Sequence, residues 1–193
     1  MTFLFAKLFF ACYNGVMLSL FDKTSIQKAL MFASVKHKEQ KMGRPPVEIP
    51  YATHFIGVAL TAINYTYNQD IDKTFLLTLA LLHDTIEDTN ATYQELLTEF
   101  GKSVADGVLA LSRNESIAYE NQIADCVHRI KSQPKEVAIV KMADRMFNMR
   151  ERYKFWSIEK QDNYKAEGQM ICDELGYASQ SMKQALQETI NAY

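Results

Sequence analysis

The chain has 193 residues, of which 48% are hydrophobic and 23% charged, with a formal net charge of −2. That is the composition of a soluble globular protein with a sizeable core, built as one domain with at most a small appendage. The near-neutral balance gives no general electrostatic case for nucleic acid or for an acidic membrane. Three cysteines, at positions 12, 126 and 172, are far apart and show no CxxC spacing. They read as free thiols in a reducing, cytoplasmic compartment.

Residues 1–20 form an apolar, Phe-rich extension of uncertain role. Lys7 and Asn14-Gly15 interrupt it, no basic residue precedes it, and no clear small-x-small cleavage site follows. A signal peptide, a spanning helix and stable membrane association are therefore not expected. Two readings stay open: a segment packed on the core, or translation that starts at Met17.

From there the pattern reads helical almost throughout, as an all-α, compact multi-helix bundle over residues 21–193. The first helix is expected from about Thr24 to Lys41, with Ile26, Leu30, Ala33 and His37 on one stripe. His37 on that stripe suits a hydrogen-bonded core histidine better than a ligand. KMGRPPVEIP follows, and its Gly and Pro content predicts a loop. A second helix begins near Tyr51 and carries His54 in its first turn. Asp72 is placed to cap the third helix. Thr92 and Glu95 have capping-box spacing for a short helix that Gly101 ends. A helix over Ser103–Leu111 follows. His128, in DCVHRIK, reads as surface or structural. Pro134 suits the first turn of the long apolar helix KEVAIVKMADRMFNMRE. A helical pair from Ser157 to Leu175 and Ser179 to Asn191 closes the chain, broken at Gly176-Tyr177. No convincing alternating strand is found.

The third helix raises a chemical question. Residues 81–90 read LLHDTIEDTN, with His83, Asp84, Glu87 and Asp88 inside six residues. At about 100° per residue, Asp84, Glu87 and Asp88 lie near 100°, 40° and 140° from His83. All four fit one face. A solvated polar face would show the same clustering, but such faces usually mix Lys with Glu. No cation occurs from Phe75 to Ala91. Three carboxylates and an imidazole repel one another unless a cation joins them, which favours a metal or catalytic site. A second cluster lies in VKMADRMFNM. Asp144 and Asn148 share a helix face, with Lys141 one turn earlier. Asp144 is either a ligand or a member of a surface ion pair with Arg145 or Lys141.

HDTIEDT (83–89) together with VKMADRMFNMR (140–150) resembles the hydrolase domain of the RelA/SpoT family, a branch of the HD-type metal phosphohydrolases. FASVKHKEQ (32–40) and PYATH (50–54) resemble the start of the same domain. The likeness covers roughly residues 20–190, in the family's order, and has the form of a stand-alone small alarmone hydrolase. It implies His54, His83, Asp84 and Asp144 as ligands of one divalent metal, Mn²⁺ in the family, with Fe²⁺ or Zn²⁺ also compatible with an N₂O₂ set. It implies Glu87 and Asp88 as the catalytic acidic pair acting on water. Asn148 matches a residue near the nucleotide sugar, and Lys141 is implied near phosphate or near another acid. Lys41, Arg44, Arg113 and Lys141 are the candidate basic contacts for the diphosphates.

The implied reaction removes the 3′-pyrophosphate of a (p)ppGpp-like nucleotide, giving GDP or GTP and pyrophosphate. The partner is a small-molecule nucleotide, and a homo-oligomer stays open. Met42, Phe55, Phe147 and Glu151 depart from the family's pattern, three of them around the base pocket. Two alternatives are therefore kept: an HD-type phosphohydrolase of another nucleotide, such as an adenosine alarmone, a phosphorylated dinucleotide or a nucleoside monophosphate, and a catalytically idle nucleotide-binding module.

Overall fold

The computed structural model describes residues 22–44, 47–152 and 156–193. Residues 1–21, 45–46 and 153–155 lie outside the described residues, as do the side chains of Arg44, Val47, Glu151 and Arg152. The expectations for the N-terminal extension, for Arg44 and for Glu151 fall there.

Chain order is α1 (Lys23–Lys36), β1 (Lys41–Arg44), β2 (Val47–Pro50), α2 (Ala52–Thr66), α3 (Lys73–Leu82), α4 (Thr85–Asp88), α5 (Tyr93–Phe100), α6 (Lys102–Leu111), α7 (Gln122–Ile130), α8 (Lys135–Arg152), α9 (Ile158–Leu175) and α10 (Gln180–Ala192). Short 3₁₀ turns cover Tyr119–Asn121 and Gly176–Ala178.

Local chemistry sets most of these boundaries. The Asp22 carboxylate accepts from Thr24 N, and Asp72 accepts from Phe75 N, so each caps its helix. Thr92 and Glu95 complete a reciprocal capping box. It satisfies two orphan amides at the start of α5. Gly101 adopts φ 82° between α5 and α6, a conformation that favours glycine. Ser157 and Ser179 cap α9 and α10.

Two helices carry the core. α3 buries Leu76, Thr78, Leu79, Ala80, Leu81 and Leu82. α8 buries Val137 through Val140 without a break, then Met142, Ala143, Met146 and Met149. α3, apolar nearly all round, must be enclosed by its neighbours, whereas α8 also buries Glu136, Lys141 and Arg145. α3 packs on α1, α2 and α8, while α8 also meets α2, α9 and α10. Arg145 joins α8 to α9: its guanidinium donates to Tyr164 O at 3.2 Å and to Glu167 Oε2 at 2.9 Å.

Three differences from the sequence expectations lie in this part of the fold. First, KMGRPPVEIP is a loop only at its tip. β1 and β2 pair antiparallel, with Lys41 opposite Pro50 and Arg44 opposite Val47. The strands are four residues each, too short for alternation to register, and Pro50 is tolerated at the strand end. Met42 points into the core at 7% exposure. Second, α1 stops at Lys36, five residues before the expected end, because Gln40 N donates to His37 O and the chain turns into the hairpin. Third, α7 was not anticipated. Its charges mask a stripe of Ile123, Cys126, Val127 and Ile130, all buried. Arg129 on α7 donates to Leu109 O and Ser112 O, capping the end of α6.

Candidate metal centre and acid pair

α2, α3 and α8 bring their chemistry to one point. His54 stands in the first turn of α2, His83 and Asp84 follow the last turn of α3, and Asp144 lies midway along α8. The helix expected through residues 81–90 breaks after Leu82. His83 and Asp84 form a turn, and α4 resumes at Thr85. Both residues keep right-handed helical dihedrals, with Asp84 opened to φ −96°, ψ 0°.

The Nε2 atoms of His54 and His83 face each other at 3.2 Å. Asp84 Oδ2 lies 3.1 Å from both. Asp144 Oδ1 lies 3.4 Å from His54 Nε2 and 3.8 Å from His83 Nε2. The ligand atoms of His54, His83 and Asp144 all fall within 4.8 Å of one another. His83 Nδ1 donates to Ala80 O at 2.7 Å, which leaves Nε2 as the lone-pair atom of the neutral ring.

Bare lone pairs and two carboxylates in this space repel one another unless protons or a cation lie among them. Burial opposes charge on both imidazoles, yet the neighbouring carboxylates outweigh it. They hold His54 above and His83 well above the usual imidazole range. Burial likewise opposes charge on Asp84 and Asp144, and the imidazoles outweigh it, holding both below the carboxylate range. The cluster therefore favours positive charge at this point. Two nitrogens and two carboxylates fit a divalent transition-metal ion. Asn148 Nδ2 donates to Asp144 Oδ1 at 2.6 Å, so it orients that carboxylate. Lys141 is buried, with Nζ 3.4 Å from Leu111 O and 3.9 Å from Asp144 Oδ2. Of its two implied roles, this placement favours the nearby acid.

Glu87 and Asp88 leave α4 in different directions. Glu87 Oε2 accepts from Arg113 N at 2.9 Å, and its Oε1 lies 3.5 Å from Arg113 Nε. Burial pushes the Glu87 carboxyl up, against the opposing charge of Lys141 and the Arg113 amide. Asp88 is exposed, and its Oδ2 accepts from Gln40 Nε2 at 3.0 Å. Arg113 is partly exposed beside Glu87, and its guanidinium lies over the Tyr119 ring, 5.8 Å from the centroid. Lys41 is exposed on the hairpin, 3.5 Å from Glu48. His37 is a buried core histidine whose Nδ1 donates to Gln40 Oε1 at 2.6 Å. His128 is exposed on α7.

Sequence reasoning missed Tyr51. Its hydroxyl lies 2.5 Å from Asp84 Oδ2 and 3.0 Å from Asp88 Oδ2. Burial, then the charges of Asp84 and Asp88, push the phenol far above its ordinary range, so it stays a donor. Its place three residues before His54 was the available signal.

Phe147 roofs one side. Its ring sits edge-on to the His54 ring at 5.3 Å and 69°. Gly57, one turn beyond His54, makes room for it: a Cβ there would overlap the Phe147 ring. Gly57→Ala is therefore expected to displace Phe147 and cost about 1–3 kcal/mol of stability. Thermal unfolding measures this, and an unchanged midpoint would mean that the ring does not pack there.

Three helices that converge two histidines and two aspartates, with an acidic pair beside them, define an HD domain. The HD-domain family profile matches residues 29–178. A guanosine-3′,5′-bis(diphosphate) 3′-pyrophosphohydrolase, MESH1, of Xenopus tropicalis is 32% identical over 130 residues, covering 67% of this chain and 70% of that protein. The Danio rerio MESH1 is 31% identical over 137 residues, covering 69% and 74%. A solved metazoan SpoT orthologue described as hydrolysing ppGpp shares the fold with a TM-score of 0.74 at 24% identity, over 87% of this chain and 94% of its own. The chain belongs to the HD-domain family, in its RelA/SpoT branch.

Proposed function

We propose that this protein hydrolyses the 3′-pyrophosphate of (p)ppGpp-like alarmones with the help of one divalent ion, Mn²⁺ first among the candidates, in the cytoplasm. The observation that carries this reading is the convergence of His54, His83, Asp84 and Asp144 beside Glu87 and Asp88. The MESH1 relatives are named for the same reaction. Among the described residues no helix is long and apolar enough to cross a membrane.

The reaction joins a water oxygen to the phosphorus attached to the ribose 3′-oxygen. That P–O bond breaks, the 3′-oxygen takes a proton, and pyrophosphate and the 5′-nucleotide leave. A divalent ion supplies phosphoryl polarisation and a more acidic water when bound. The four ligands fix where that chemistry happens. Glu87, half-buried and with its carboxyl pushed up, holds or passes a proton more readily than an exposed carboxylate would. Asp88 orients the water from the exposed side. Arg113 and Lys41 attract the diphosphates. Asn148 serves the centre through Asp144, and the sugar contact implied for it is a second role.

A specific observation bears on the base. Met42 puts an uncharged, buried thioether where a basic residue is expected, and Phe147 presents a hydrocarbon edge. Guanine-edge donors expected at these positions are absent, and an unmatched buried polar group costs about 1–3 kcal/mol. The enzyme is expected to process guanosine and adenosine alarmones with kcat/KM values within about a hundredfold of each other. The test is a nucleotide panel incubated with purified protein and Mn²⁺, with products separated by chromatography. Pyrophosphate from guanosine tetraphosphate supports the reading. Tight binding with no turnover would leave the idle-module alternative. A guanine preference far beyond a hundredfold would show that another residue rebuilds the base contacts.

A further inference from the structure

Gln40 and Tyr51 flank the β1–β2 hairpin and close its base, where Tyr51 N donates to Gln40 O at 3.1 Å. Both side chains then reach the same oxygen. Gln40 Nε2 donates to Asp88 Oδ2 at 3.0 Å, and the Tyr51 hydroxyl lies 3.0 Å from that atom. The Gln40 amide has one workable orientation, because its Oε1 accepts from His37 Nδ1 at 2.6 Å. The His37 ring in turn stacks on the Tyr51 ring at 4.7 Å and 23°. Tyr51 is only 4% exposed, so the phenol has little room to move.

The same hydroxyl lies 2.5 Å from Asp84 Oδ2, the oxygen that is 3.1 Å from both His54 and His83. One buried hydroxyl thus shares its single proton between a carboxylate of the ligand cluster, the nearer at 2.5 Å, and a carboxylate of the acid pair at 3.0 Å. Gln40 touches only the second of these. Asp88 Oδ1 takes no hydrogen bond from the described residues.

We infer that Tyr51 is a positioning residue that ties Asp84 to Asp88, setting the distance between the metal centre and the water-orienting carboxylate. This rests on the hydrolase reading above. Tyr51 does not touch the reacting atoms. It acts through the two aspartates, and Gln40 holds Asp88 from the hairpin side.

The experiment titrates Mn²⁺ calorimetrically into metal-stripped wild-type protein and the Tyr51→Phe and Gln40→Ala variants, with steady-state hydrolysis of ppGpp in parallel. Tyr51→Phe keeps the ring that stacks on His37 and removes only the oxygen. Metal affinity and kcat should each fall about ten- to a hundredfold, as outer partners of metal ligands typically do, with KM nearly unchanged. Gln40→Ala should lower kcat yet keep metal affinity within about twofold of wild type, since it contacts no ligand. Wild-type metal affinity in Tyr51→Phe overturns the inference. Equal loss of metal affinity in both variants also overturns it, because that is general loosening of the hairpin base. If the wild type binds Mn²⁺ and hydrolyses no alarmone, the hydrolase reading fails, while the two titrations still decide the role of Tyr51.

Discussion

His83→Ala is expected to abolish binding of the divalent ion while the helical fold survives. His83 Nε2 sits 3.2 Å from His54 Nε2 and 3.1 Å from Asp84 Oδ2, so its removal opens the centre of the donor set. Affinity should fall by more than the ten- to hundredfold typical of losing an outer partner. The fold cost is smaller. The variant loses one hydrogen bond to Ala80 O and some packing, on the order of 1–3 kcal/mol. The hydrophobic core of α3 and α8 is untouched. Elemental analysis after gel filtration reads the metal, and far-ultraviolet circular dichroism reads the fold. Asp144→Asn is the companion variant, since it keeps shape and removes one ligand charge. Full metal occupancy in both variants would sink the ligand assignment.

The metal-free protein adds a pH signature. Both imidazoles have raised pKa values, so their ion pairs with Asp84 and Asp144 stabilise the fold below the ordinary imidazole range. That contribution is lost as pH rises through the raised values. The two aspartates have lowered pKa values, so their contribution is present above the ordinary carboxylate range and fails only as pH falls through the depressed values. Metal must displace the imidazole protons, so apparent metal affinity should rise with pH over the same interval in which the metal-free protein loses its extra stability.

How much of this was readable in the sequence depends on the kind of signal. Helix ends announced by side chains that bond their own backbone were readable. Asp72, Thr92 with Glu95, Gly101, Ser157 and Ser179 all stand where their spacing places them. α7 was hidden although its stripe of Ile123, Cys126, Val127 and Ile130 is regular, because Asp125, His128 and Arg129 drew the reading toward a charged surface. The hairpin was hidden because Gly and Pro mark turns whether or not short strands flank them. In the site, groups bearing charge were conspicuous, and the i,i+4 relation of Asp144 and Asn148 became a hydrogen bond. Tyr51 and Gln40 were not conspicuous. Neither carries charge, and their carboxylate partners lie 33 to 48 positions away along the chain. Only the fold brings the hairpin base beside α4.

The acid pair allows a test that separates chemistry from metal binding. Glu87→Gln keeps the shape of the side chain and removes its ability to take a proton. Glu87 Oε2 accepts from the Arg113 amide, and the carboxamide oxygen of Gln can accept the same bond. The fold and the ligand cluster should therefore stay as they are. Turnover should fall by about 10²–10⁴-fold, the range that general acid–base help usually supplies. Metal content should match the wild type, because the hydrogen bonds of Glu87 go to Arg113 and not to the His54–His83–Asp144 group. Asp88→Asn separates the pair: Asp88 is exposed and held by Gln40 and Tyr51, so its loss should lower kcat with metal retained. Loss of metal in Glu87→Gln would make Glu87 a ligand, and unchanged turnover would remove it from the reaction. If Glu87 is the proton carrier, its raised carboxyl should also appear as the acidic limb of the kcat profile, displaced above the ordinary carboxylate range, and that limb should vanish in Glu87→Gln.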